Sequence, residues 1–283
     1  MSWLEREISG NRRKRSIKKG MLWFAAGIVA AFLILAVVIV LIPYSESKGV
    51  SVVRIEGTIV TGDFFGGGYI GSEYAGRQIR SAADDPLVEA IVLRVDSPGG
   101  SPAGAQEIIE DMEYAKSRKP VFVSMGDMAT SAAYHISSHA DRIYANRDTM
   151  TGGIGTIWTF YDVSRSMQIE GINVSVVKSG ELKDLGSQYR GLTGDEYDYV
   201  QDMVDDSFEL FINDVIEQRG LNRSEIEEAQ LIRGEDAYEI GLIDEFGNLF
   251  TTIGAAKKYK KDLKIPESNT EEPGEPEEET VSS

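Results

Sequence analysis

An uncharged run of 23 residues from Met21 to Pro43 divides this chain into parts that must fold in different solvents. At ~1.5 Å of rise per residue, a helix of that length crosses a hydrocarbon core of ~30 Å with some tilt. A cleaved signal peptide has a shorter apolar region, roughly 7–15 residues, and a small-x-small site after it. Tyr44-Ser45-Glu46-Ser47 offers no such site, so the run predicts an uncleaved anchor. Arg12-Arg13-Lys14-Arg15 and Lys18-Lys19 flank it on one side and a lone Lys48 on the other. Lysine and arginine stay on the cytoplasmic side, so everything after Pro43 is expected outside. The expected organisation is a basic cytoplasmic segment (1–20), a transmembrane helix (21–43), an extracytoplasmic domain (44–265) and an acidic tail (266–283). That makes a single-pass protein of the cell membrane, in contact with the lipid bilayer through one helix.

Charge and composition narrow the chemistry of the outer part. The formal net charge is −17, which argues against nucleic acid as a partner because phosphate binding needs a basic face. The chain has no cysteine, which removes thiol catalysis, disulfides and cysteine-ligated metals. Pro266–Ser283 carries seven glutamates and no basic residue, too little apolar surface to fold, and reads as a disordered tail.

From Val50 onward, short β-rich runs alternate with helical spacing. Strands are expected at Val50–Glu56, Val88–Val95, Val121–Ser124, Arg142–Ala145, Thr156–Tyr161 and Val174–Val177. Helices are expected at Glu73–Ala83, Pro102–Ala115, Ser131–Ser138 and near Val163–Ile169. A long acidic helix should run from Thr193 to about Arg219, with shorter ones at Arg223–Ala229, Glu235–Ile240 and Phe250–Tyr259. Phe64–Gly71 is glycine-rich and reads as a loop. The alternation predicts an α/β layered fold with a largely parallel sheet. Ligands of such sheets sit at the carboxyl ends of strands, where both Asp96–Gly100 and Met125–Ser131 fall.

A Ser-His-Asp triad is hard to build here. The two histidines of the chain, His135 and His139, both follow Ser131 closely on one short helix. A side chain at i+4 points roughly parallel to the serine rather than across at its oxygen. The i, i+4 pair followed by Asp141 has a metal-like spacing, but no glutamate of H-E-x-x-H and no further ligand stands nearby, so no metal and no cofactor enter the reading. Lysine replaces histidine as base if burial keeps its amine neutral; a drop from ~10.4 to ~8 costs roughly 3.3 kcal/mol. Lys183 follows a strand and the turn Ser179-Gly180, which suits projection into a cleft, and equally suits a surface lysine paired with Glu181 or Asp184. Gly99 and Gly100 leave backbone N–H groups unshielded at a strand end, and the Ala132 N–H starts a helix; both positions suit an oxyanion.

These residues resemble the signal peptide peptidase A family, membrane-anchored Ser–Lys proteases of the ClpP/crotonase-like superfamily. Four motifs fall in the family's order across about Val50 to Tyr259. They are Ser97-Pro98-Gly99-Gly100, the V-S-M-G-x-M-A-x-S segment from Val123 to Ser131, Lys178-Ser179-Gly180-Glu181-Leu182-Lys183-Asp184, and Gly241-Leu242-Ile243-Asp244-Glu245-Phe246-Gly247. The resemblance implies a ClpP/crotonase-like fold of repeated ββα units. It makes Ser131 the nucleophile, Lys183 the general base, and Gly100 and Ala132 the oxyanion donors. It further implies a homo-oligomeric ring or dome, an octamer being one such assembly, with serine and lysine supplied by neighbouring protomers. Signal-peptide remnants and other short unfolded peptides would be the substrates. Two departures stand out. Ser131-Ala132-Ala133-Tyr134 replaces the family's S-G-G-Y. Thr151-Gly152-Gly153-Ile154-Gly155 has glycine where the family's T-G-S-I/L-G carries a serine that orients the lysine; Thr151 or Ser124 is the candidate substitute. A non-catalytic, peptide-binding membrane scaffold of the same fold is the alternative that this missing serine leaves open.

Overall fold

The computed structural model describes residues 48–259, together with Gly27, Ile28 and Phe32, which are helical. The rest of the expected span at 21–43, the basic segment and the tail lie outside the described residues. Among the described residues no helix is long and apolar enough to cross a membrane.

The domain at 48–259 is built on a mostly parallel sheet. Strands β1 (Gly49–Glu56), β5 (Val88–Ser97), β6 (Val121–Thr130), β7 (Arg142–Ala145) and β10 (Glu245–Phe246) lie side by side in that order. Each neighbouring pair is parallel. Strand β8 (Met150–Gly152) pairs in parallel with the far end of β6, and β9 (Leu231–Arg233) pairs antiparallel with β8. Three short strands, β2 (Thr58–Val60), β3 (Phe65–Gly66) and β4 (Tyr69–Gly71), form a second small sheet.

Period-two alternation distributes β5 and β6 between two cores. Ile91, Leu93, Val95, Val121, Val123 and Met125 face the larger one, whereas Ala90, Val92 and Phe122 face the smaller. Both faces are covered, so the central strands read as unbroken apolar runs rather than alternating ones. Helices α1 (Ser72–Asp84), α2 (Pro102–Lys116), α3 (Ala132–Ser138) and α5 (Gly194–Arg219) contribute to the larger core through Ile79, Met112, Ile136 and Ile212. Helix α7 (Leu249–Lys258) covers the other face through Ala256. Two short helices, α4 (Ser164–Ile169) and α6 (Gly234–Glu239), complete the domain.

Local chemistry sets the helix ends. Ser101 caps α2 by accepting from the Gly104 N–H, with Pro102 at the first helical position. Thr193 and Glu196 form a capping box at the start of α5, and Gly220 ends it with a left-handed φ of 66°.

The structure corrects five expectations. Thr156–Tyr161 and Val174–Val177 are not strands: their β-rich composition lacks a neighbouring edge to pair with, and Ile157 and Val177 are almost fully exposed. The loop at Phe64–Gly71 contains β3 and β4, because Ile70 is fully buried and draws the segment into pairing. The strand at Val121 continues past Ser124 to Thr130. Arg223–Ala229 supplies only a short 3-10 turn, Arg223–Glu225, rather than a helix.

Candidate active site

The bend in β6 brings Ser131 into the open. Where β5 meets β6 the register slips, and Gly126 is the reason. A Cβ there would lie 2.6 Å from the Asp96 carboxyl carbon; without one, Asp96 crosses over the strand and accepts from the Met128 N–H at 3.1 Å. Beyond that point β6 leaves β7 and pairs with β8. Ser131 then occupies the single residue between β6 and α3, with φ 54° and ψ −129°. A positive φ is costly for a residue with a side chain, about 1–3 kcal/mol, and persists only where the surroundings impose it. Here the Ser131 N–H donates to the Gly152 carbonyl and its own carbonyl accepts from the His135 N–H, both at 2.9 Å.

Gly99 and Gly100 pack against this turn. Gly99 has a φ of 100°, and a Cβ on it would sit 2.8 Å from the Ser131 Cβ. Gly100 is held beside Ile59: the Ile59 N–H donates to the Gly99 carbonyl and the Ser101 N–H to the Ile59 carbonyl, both at 2.9 Å. Gly100, Ser131 and Ala132 line one cleft of about 100 Å³, which Gln106, Leu210 and Phe211 also border. Two backbone N–H groups, one from the glycine turn and one from the first turn of α3, thus stand beside a hydroxyl on a strained backbone. Among the described residues the Ser131 hydroxyl makes no hydrogen bond. An acyl carbonyl polarised by the two N–H groups and attacked by the hydroxyl is the chemistry this arrangement suits.

Lys183 is elsewhere. It lies in an exposed 3-10 turn, Glu181–Asp184, and does not line the Ser131 cleft. Its amine has no partner among the described residues, whereas its neighbours are tightly tied. The Lys178 amine and the Arg190 guanidinium each reach Asp184 at 2.8 Å, and Arg190 forks onto both oxygens of Glu196 at 2.6 Å. Arg190 first, and Lys178 with it, hold the Asp184 carboxyl well below its usual range. The same guanidinium, helped by the Thr193 N–H, lowers Glu196 to about 2. This network fixes the turn and leaves Lys183 without a partner among the described residues.

Thr151 and Ser124 are both fully buried. The Thr151 hydroxyl donates to the Ala129 carbonyl at 2.8 Å, and the Ser124 hydroxyl accepts from Arg94 at 3.1 Å. Neither meets Lys183 within the chain. Gly153 borders Ser131 directly: a Cβ there would lie 3.5 Å from the Ser131 nitrogen.

The histidines face away from the hydroxyl's chemistry. His135 borders the cleft, but its Nε2 is committed to Asp214 Oδ2 at 2.5 Å, and His139 Nε2 reaches the same oxygen at 2.9 Å. His139 Nδ1 lies 3.1 Å from Glu113 Oε1. Burial opposes a charge on His139, yet bonds to Asp214 and Glu113 outweigh it and raise its pKa. Asp214 is lowered despite burial, by both imidazoles, and Glu113 falls to about 2 through His139 and then Lys116. Asp214 was not legible beside the histidines because it follows His139 by 75 positions. The late Gly241–Gly247 motif also finds its role here. The buried Tyr134 hydroxyl donates to the Leu242 carbonyl at 2.9 Å, and Asp244 accepts from the Ile143 N–H at 2.7 Å. The motif anchors α3, and with it the turn that carries Ser131.

A parallel α/β sheet whose central strand ends in a strained serine beside a glycine turn defines a hydrolase-like class of site. The chain belongs to peptidase family S49, whose family model matches residues 113–264, more than half of the chain and inclusive of Ser131 and Lys183. Protease 4 of Haemophilus influenzae is 36% identical over 220 residues, covering 76% of this chain and 35% of that protein. Protease 4 of Salmonella typhi is 33% identical over 223 residues, covering 77% and 36%. A chloroplastic serine protease named SPPA from Arabidopsis thaliana is 28% identical over 214 residues, covering 74% and 31%. The chain therefore spans about a third of the length of these relatives.

Proposed function

We propose that this protein is a membrane-anchored serine endopeptidase in which Ser131 attacks a peptide carbonyl and Lys183 of a neighbouring copy is the general base. The observation that carries the reading is the Ser131 turn itself, strained, unpartnered at its hydroxyl, and flanked in one cleft by the N–H groups of Gly100 and Ala132. The Ser131 proton passes to a neutral Lys183 amine as Oγ bonds the carbonyl carbon. The two N–H groups receive the oxyanion, and the lysine returns the proton to the departing amine. Water, deprotonated in turn by Lys183, hydrolyses the acyl-enzyme.

The placement of the lysine supports its supply in trans. In the single chain Lys183 is exposed and does not line the Ser131 cleft. Docking into a neighbour's cleft would desolvate the amine and lower its pKa only once the oligomer forms. The extended segments at 156–161 and 174–177 support such a homo-oligomer. Ile157 (87% exposed), Tyr161 (73%) and Val177 (99%) present apolar surface and unpaired backbone to a second copy. A ring or dome in a ClpP/crotonase-like fold, such as an octamer, is the assembly proposed. Its enclosed chamber would admit signal-peptide remnants and other short unfolded peptides. The apolar run at 21–43 and its basic flank support a single-pass anchor with the peptidase domain outside.

A serine-directed fluorophosphonate tests the assignment. It should label Ser131 of the full chain, and Ser131→Ala should remove both label and peptidase activity. A Lys183→Ala protein that keeps full activity would overturn the lysine's role.

A further inference from the structure

We propose that His135, His139 and Asp214 hold one divalent transition-metal ion of the zinc class behind the Ser131 cleft. The first support is convergence. One ligand atom from each side chain falls within a common radius, all three lying within 4.8 Å of one another. His135 lies on α3, His139 caps its C-terminal end one turn further on, and Asp214 comes from α5, so the site joins two stretches that share no sequence neighbourhood. Both histidines are buried, at 8% and 6% exposure, and Asp214 is half-buried.

The second support is the surroundings of the ligands. A metal-bound imidazole typically gives its other ring nitrogen to a carboxylate, which fixes ring orientation and raises ligand basicity. His139 has this arrangement, with Nδ1 at 3.1 Å from Glu113 Oε1 while Nε2 faces the cluster. The Phe211 ring packs 4.5 Å from His135 and shields that side. With neutral imidazoles, Asp214 and Glu113 bring two negative charges, which one divalent ion balances.

The donor set selects the ion. Two nitrogens and one carboxylate oxygen suit zinc and its transition-metal neighbours, whereas magnesium and calcium prefer all-oxygen shells. Tetrahedral ligands at ~2.0–2.1 Å from zinc stand roughly 3.3 Å apart. The present His135–Asp214 and His139–Asp214 separations are 2.5 and 2.9 Å, so entry of the ion requires an opening of under ~1 Å at each. Because His135 also borders the cleft, a bound ion would pin α3 and the Ala132 N–H against α5.

The chain has two histidines, so any imidazole–metal signal has one possible source. The full chain, purified in detergent without a histidine tag and stripped with chelator, is to be titrated with zinc chloride and, separately, cobalt(II) chloride. One equivalent of zinc should remain after desalting, and cobalt should give the intense visible bands of a four-coordinate site. Asp214→Asn and His139→Gln should lose the retained equivalent, and Glu113→Gln should bind zinc 10- to 100-fold more weakly. Wild-type protein that retains no zinc, which needs no variant to interpret, overturns the proposal. So does zinc binding that is the same in Asp214→Asn as in wild type.

Discussion

Gly99→Ala places one methyl group at the point where the glycine turn meets the nucleophile. That methyl carbon would lie 2.8 Å from the Ser131 Cβ, 2.8 Å from the Thr130 carbonyl oxygen and 3.0 Å from the Ala132 nitrogen. Carbon atoms rest comfortably at ~3.5–4.0 Å, so Ser131 and the start of α3 must retreat by several tenths of an ångström. The backbone adds strain, since Gly99 has a φ of 100°. A positive φ costs an L-residue roughly 1–2 kcal/mol and overpacking costs a further ~1–3 kcal/mol. The total is ~2–5 kcal/mol, and at ~2–4 °C per kcal/mol for a domain of this size Tm should fall by ~4–20 °C. Activity should fall further than stability explains, because a displacement approaching 1 Å at reacting groups costs ~10² in rate. Thermal unfolding and kcat/KM on a fluorogenic peptide, both measured well below Tm, read the two effects. Gly49→Ala is the control: nothing lies within 4 Å of a Cβ there, and its φ is outside the left-handed region. If Gly99→Ala matched Gly49→Ala in both Tm and rate, the proposed contact between turn and nucleophile would be refuted.

Gly153→Ser should be tolerated, since its Cβ would meet Leu231, Ser131 and Thr130 at ordinary distances of 3.4–3.6 Å. The left-handed φ of 60° should cost ~1–2 kcal/mol in denaturant unfolding. If a hydroxyl there bonds the neutral lysine, kcat/KM should rise several-fold and its acidic limb should move to lower pH; an unmoved limb contradicts that role. The Lys183 turn should loosen in acid. Glu196 sits at about 2 against an ordinary 4.5, so its contribution is full above about 4.5 and disappears as pH falls through about 2. Hydrogen-exchange protection factors of residues 178–196, taken relative to the unstructured rate at each pH, should therefore stay high at pH 5 and fall toward pH 2, and Arg190→Met should show the low protection already at pH 7. Equal protection in Arg190→Met and wild type would mean that the Asp184–Arg190–Glu196 network does not hold the turn.

The buried strands were legible because burial on both faces leaves a signature in sequence. Ala90–Leu93 is an unbroken apolar run within Val88–Val95, and the structure places that strand in the interior of the sheet. Short strands carry no such signature: β8, β9 and β10 span two or three residues each and exist only because longer strands offer them an edge. Thr156–Tyr161 shows the converse, β-rich composition with no edge to join. The location of Ser131 at a strand end was readable, but its positive φ was not. That conformation is imposed by Gly99, Gly152 and the start of α3, from three separate stretches of chain. The lysine could be picked out by motif, yet no pattern near it says which copy's cleft it serves. The His135–His139–Asp214 cluster was half visible, its third member arriving from a helix remote in sequence.

The central claim is that the nucleophile and its base come from different copies of the chain. Co-expression of Ser131→Ala with Lys183→Ala tests it directly. Each variant alone should be inactive. In a cyclic assembly with head-to-tail interfaces, random mixing gives the productive order at ~1 interface in 4, so the mixture should recover about a quarter of wild-type activity. A mixture as inactive as either variant alone, in oligomers shown by mass to contain both chains, would contradict the account.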